Sequence, residues 1–92
     1  MIKSKIAQQI AAHLETGARL GQCGQFEEAI SQFHLAAALQ SDRADCYFNL
    51  GVAYRRLGQL ADALAAFEKA VDLNAGWPEA QFNLGNSYRD AG

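Results

Sequence analysis

From residue 44 onward the apolar positions keep the spacing of a helix. Tyr47, Leu50, Gly51 and Tyr54 fall at i, i+3, i+4 and i+7, one stripe of an amphipathic helix. A second stripe follows the break at Gly58, through Leu60, Ala63, Leu64, Phe67, Ala70 and Val71. So short a break makes the two helices antiparallel neighbours, a helical hairpin. Extended along the chain, the pattern predicts five helices over about 4–22, 25–39, 44–57, 60–73 and 78–90, each boundary good to a few residues. Gly24 and Gly58 end the first helix of each hairpin, where a left-handed residue carries no Cβ penalty. Asp42 is expected to cap the third helix, and Pro78 suits the first turn of the fifth.

The hairpins repeat. Gly17, Gly51 and Gly85 are each 34 residues apart, as are Gly24, Gly58 and Gly92. Ala29 and Ala63, Phe33 and Phe67, Ala36 and Ala70, Leu39 and Leu73, and Tyr54 and Tyr88 keep the same period. A fixed period of this size marks a stacked helical repeat. The single domain, 1–92, divides into units at about 10–43 and 44–77 and a half unit at 78–92. Mid-helix glycine costs up to about 1 kcal/mol against alanine. Its recurrence implies that a second helix passes too close for a methyl group, with Ala29 and Ala63 as the expected small partners.

These residues resemble the tetratricopeptide repeat, a helix–turn–helix unit with the pattern W-x2-L-G-x2-Y followed by A, F, A and P at set offsets. The second unit matches as Tyr47-x2-Leu50-Gly51-x2-Tyr54, Ala63, Phe67 and Ala70. The half unit matches as Leu84-Gly85-x2-Tyr88, with Gln81 where the aromatic belongs. The first unit departs further: His13, Thr16 and Leu20 stand at the aromatic, leucine and tyrosine positions, and Ser41 and Ala75 replace the closing prolines. The resemblance implies an all-α superhelix of antiparallel hairpins whose first-helix faces line a concave surface. The segment Phe48-Asn49-Leu50-Gly51 is similar to repeats in the arms of O-linked N-acetylglucosamine transferases.

Composition narrows the function. Half of the residues are apolar and the formal net charge is −2, without the basic balance that nucleic-acid binding needs. No run reaches the roughly 18 apolar residues of a membrane span, and the first 17 residues lack the unbroken apolar core of a signal peptide. The run from Gly17 to Gly24 is glycine-rich but has no GK[ST] and no preceding strand, so helix-packing and turn glycines explain it. His13 and His34 lack metal-ligand spacing. Cys23 and Cys46 read as small buried hydrophobes with no CxxC partner. The chain is expected to be no enzyme, to take no cofactor or metal, and to work in the cytoplasm, where thiols stay reduced.

What remains is the concave face. On the helix beginning at Ala44, the face opposite the Tyr47/Leu50 stripe carries Asp45, Phe48, Asn49, Val52, Arg55 and Arg56. One period on it carries Glu79, Phe82, Asn83, Asn86, Arg89 and Asp90, and one period back Ala11, Leu14, Glu15, Ala18, Gly21 and Gln22. Stacked, these give ladders of Phe48 with Phe82, Asn49 with Asn83 and Arg55 with Arg89. A carboxamide both donates and accepts, so an asparagine ladder can hold the backbone of an extended peptide whatever its sequence. The expected groove is Phe48, Asn49, Val52, Arg55, Arg56, Phe82, Asn83, Asn86 and Arg89, and its arginines favour an acidic protein or peptide partner. The family's clamp for the acidic C-termini of heat-shock chaperones would fall on Leu14, Ala18, Asn49, Glu79 and Asn83. Only Asn49 fits it, and Glu79 would repel a terminal carboxylate.

Two rival readings stand beside the binding scaffold. One is a recruiting or regulatory piece of a larger enzyme such as a glycosyltransferase. The other is a self-assembly module: a further helix is expected to cover Leu84, Gly85, Tyr88 and Ala91, and without it Leu84 and Tyr88 would pair chains as a homodimer or meet further repeats of a longer parent.

Overall fold

The computed structural model describes the backbone of residues 2–92 and the side-chain surroundings of residues 5–92. Five α-helices follow one another: α1 (Ile2–Gln22), α2 (Phe26–Leu39), α3 (Ala44–Arg56), α4 (Leu60–Leu73) and α5 (Pro78–Ala91). Each packs on the next, and α1 also touches α3. The helices therefore form two layers, α1, α3 and α5 in one and α2 and α4 in the other, in a slab of 46 × 29 × 17 Å.

Both hairpin turns are built alike. Gly24 and Gly58 take φ of +80° and +77°, the left-handed conformation that ends a helix. The amides of Gln25 and Gln59 then reach back to the carbonyls of Leu20 and Tyr54, 2.9 Å each, completing the C-terminal cap. Pro78 opens α5 as expected. Asp42 does not cap α3: the helix starts after Arg43, whose guanidinium holds Asp45 at 2.8 Å and keeps that carboxyl below its usual range.

The core is thin and alanine-rich. Ile10, Ala29, Phe33, Ala36, Cys46, Leu50, Ala53 and Ala66 form one cluster across α1 to α4. Ala63, Phe67, Ala70 and Ala80 are also fully buried. Two of the three mid-helix glycines, Gly17 and Gly51, are crowded by rings, not by the alanines expected opposite them, while a Cβ on Gly85 would meet nothing within 4 Å. A Cβ on Gly17 would lie 2.5 Å from the Phe33 ring, and one on Gly51 2.7 Å from Phe67. Phe33 and Phe67 stand one helical turn beyond Ala29 and Ala63. The alanines let the helices approach and the rings fill the hollow over glycine.

The departures of the first unit have a physical reason. Cys46, Leu50 and Ala53 are buried, whereas their counterparts on α1, Ala12, Thr16 and Arg19, are exposed because no helix lies on that side. Arg19 instead pairs with Glu15 along the helix surface. In the half unit Gln81 takes over the bond of the missing aromatic, donating from Nε2 to the Ala75 carbonyl as the Tyr47 hydroxyl does to Ser41.

Candidate functional site

A groove of about 380 Å³ opens between α1 and α3, with Phe26 and Phe33 of α2 and Ala53 of α3 among the residues that line it. Small residues on α1, Gly17, Ala18 and Gly21, hold one wall back, and Asn49, Val52 and Arg56 of α3 form the other. The Arg56 guanidinium lies over the Phe26 ring, 5.4 Å from its centre, and forms no ion pair among the described residues. Asn49 is half-buried, and its carboxamide makes no hydrogen bond among the described residues. Val52 is exposed. The arrangement offers an apolar slot flanked by one free amide and one free cation.

Of the nine residues expected to line a groove, this site brings together Asn49, Val52 and Arg56. The phenylalanine ladder does not form. Phe48 is half-buried, stacked on Trp77 with ring centres 4.7 Å apart and edge-on to Phe67 at 5.7 Å. It packs its own hairpin, while Phe82 stands 70 % exposed away from the groove. The asparagine ladder has one free rung, since Asn83 donates from Nδ2 to the Glu79 carbonyl and accepts from Arg55 at 3.5 Å. Arg55 is neutralised by Asp90 at 2.9 Å, and Arg89 donates to Asn86. The cationic stripe therefore reduces to Arg56 on this groove.

The residues that the ladder reading left out are Gly17, Phe26, Phe33 and Ala53, together with the α1 wall of Ala18, Gly21 and Gln22. Ala18, Gly21 and Gln22 occupy the ladder positions of the first unit. Their small or neutral side chains carry no chemical signal, yet their smallness makes the space. Of the two expected self-association residues, Leu84 is half-buried, and Tyr88 is 52 % exposed with its hydroxyl donating to Glu68 at 3.1 Å.

A second crevice of about 230 Å³ opens between α2, α3 and α4, lined by His34, Tyr47, Tyr54, Asp62 and Lys69 over Leu50 and Ala66. His34 Nε2 and the Tyr54 hydroxyl are 3.0 Å apart there. His13, at the aromatic position of the first unit, is half-buried with Nδ1 at 2.8 Å from Gln32 Oε1. Cys46 is buried as expected and Cys23 is exposed at the first turn, contrary to expectation, because that turn faces outward. Among the described residues no three His, Cys, Asp or Glu side chains gather to hold a metal, and no helix is long and apolar enough to cross a membrane.

Two family models match the chain, one described as tetratricopeptide repeat over residues 44–75 and one as TPR repeat over residues 17–58. Among solved structures, the chain is similar to the second TPR of Spaghetti (RPAP3) bound to the HSP90 peptide SRMEEVD. The TM-score is 0.89 at 19 % identity, covering 97 % of this chain and 82 % of that one. No curated protein matches.

Proposed function

We infer, for a chain whose residues 17–75 belong to the tetratricopeptide repeat family, that the groove between α1 and α3 binds an extended protein segment. One apolar side chain of that segment sits against Ala18, Val52 and Phe33. Asn49 pairs with its backbone, and Arg56 takes an acidic group beside the anchor. The observation that carries this reading is the groove itself, apolar and open, with an unengaged carboxamide and an unpaired guanidinium on one wall. The similar solved domain holds a peptide, which supports the same use of this fold. Leu14, Ala18 and Glu79 at the clamp positions argue for an internal acidic segment over a free C-terminus. The two free thiols suit a reducing compartment such as the cytoplasm.

The test starts from peptides selected on the wild-type chain from a display library, with affinities then measured by fluorescence anisotropy. Asn49→Ala is expected to weaken binding by about 1–3 kcal/mol, the loss of a buried amide pairing. Asn83→Ala is expected to do little, since its carboxamide serves Glu79 and Arg55. Affinity should fall as salt rises, and Arg56→Ala should flatten that dependence. Equal losses at Asn49 and Asn83, or salt-independent binding by the wild type, would contradict the assignment.

A further inference from the structure

One period along the chain, the walls of the first groove change character. Gly21 and Arg56 stand on opposite sides of the α1–α3 groove, and the bare glycine leaves the slot open. The same two places one repeat later are Arg55 on α3 and Asp90 on α5. Their side chains meet, with Arg55 Nη2 at 2.9 Å from Asp90 Oδ2, and Arg55 Nη1 donates to Asn83 Oδ1 at 3.5 Å. A guanidinium thus bridges α3 and α5 where its counterpart between α1 and α3 is absent.

The bridge is accessible, with 34 % of the Arg55 side chain and 36 % of the Asp90 side chain exposed. An ion pair so exposed adds little to stability, and another carboxylate can compete for the guanidinium. Ser87 takes the place of Ala53, which lines the first groove. Its Oγ is buried and forms no hydrogen bond among the described residues. A buried hydroxyl without a partner is unfavourable, so the bridged form leaves a bonding capacity unused.

We propose, resting on the reading that the α1–α3 groove holds an extended acidic segment, that Arg55 is a second carboxylate site on that segment's path, kept occupied by Asp90 of the same chain. Asp90 stands in for the ligand, presenting to Arg55 the group that a glutamate or aspartate of the partner brings. Arg56 and Arg55 leave α3 toward opposite neighbours, so the acids they take lie about a helix width apart, roughly 10 Å. An extended chain covers that distance in about three residues. A segment with one acid leaves the bridge closed. A segment with two opens it against Asp90, which sets how strongly the second acid counts.

The probe is a fluorescein-labelled, display-selected peptide whose binding is weakened by both Asn49→Ala and Arg56→Ala. It is made with glutamate or glutamine at positions two to four residues to either side of the acid that Arg56 takes. Asp90→Asn is expected to tighten one glutamate version by about threefold to fivefold, the scale of one exposed ion pair released from competition. The matching glutamine version should keep its affinity. A gain of this kind cannot come from a damaged fold. With Arg55→Gln also present, Asp90→Asn should bring no such gain. Glu79→Gln, which removes a charge from α5 and leaves the bridge intact, should act alike on both versions. The proposal is overturned if Asp90→Asn leaves every glutamate version unchanged or weakens it, if glutamine and glutamate versions gain alike, or if Glu79→Gln reproduces the preference. Finding no peptide that needs Asn49 and Arg56 would overturn the groove reading and this one with it. A peptide that needs both yet ignores Asp90→Asn in every version overturns this one alone.

Discussion

Phe67→Ala is expected to destabilise the domain by about 3–5 kcal/mol, the usual loss for deleting a fully buried phenyl ring. A domain of this size has about 5–15 kcal/mol in total, so the variant should sit near the edge of folding. Phe67 is 0 % exposed, fills the hollow over Gly51 and supports Phe48 edge-on. Truncation would therefore leave a cavity and strip one side of the Phe48–Trp77 stack. Filling the same space from the other side should also be harmful. Gly51→Ala gains up to about 1 kcal/mol of helix propensity but forces a methyl to within 2.7 Å of a buried ring. Overpacking of that kind costs about 1–3 kcal/mol. The two substitutions share one space, so the double variant should lose less than the sum of the singles. Urea titration followed by circular dichroism reads all three. A stabilised Gly51→Ala would show that the ring yields freely and that glycine is not required there.

Raising the pH from 9 to 11 is expected to cost the fold about 2 kcal/mol through one thiol. Burial pushes the Cys46 thiol up from 9.0 to about 11, aided by the neighbouring Asp45 and opposed by Arg43. Its Sγ–H donates to the Phe33 carbonyl at 3.1 Å, a bond the thiolate cannot make. The folded chain therefore keeps its proton to higher pH than the unfolded one. The stabilisation is complete below pH 9 and is lost as pH rises through the folded value. Tyr54, raised by burial and by Asp62, acts in the same direction at the alkaline end. The Cys46→Ala variant should show a much flatter denaturation midpoint between pH 8 and pH 11 than wild type. At pH 8 a thiol reagent should label Cys23 at once and Cys46 only in denaturant, because Cys23 is exposed and Cys46 is not. Rapid labelling of both would mean that the α2–α3 core opens far more readily than its packing implies.

The helices and their pairing were legible because they depend on short-range periodicity and on glycine at two turns. Positions set by side-chain reach were not. The sequence pairs Gly51 with Ala63 by counting small residues, but a phenylalanine one turn further along points back over the glycine. Phe48 reads as exposed because its cover, Trp77, lies in the connection before α5, where no helical period assigns a direction. Arg55 reads as a free cation because Asp90, 35 residues on, reaches it only through the stacking of α5 beside α3. Asn83 is occupied for the same reason. The groove was legible on its α3 wall, where the side chains are polar or large. Its α1 wall was not, because glycine and alanine contribute by leaving room.

The central claim, that a peptide lies in the groove between α1 and α3, is tested most directly by amide chemical-shift mapping with a display-selected peptide. The account predicts the largest shifts at Gly17, Ala18, Asn49, Val52 and Arg56, with the α2–α4 crevice quiet. Shifts centred on His34, Tyr54 and Lys69, with the α1–α3 groove unperturbed, would contradict it.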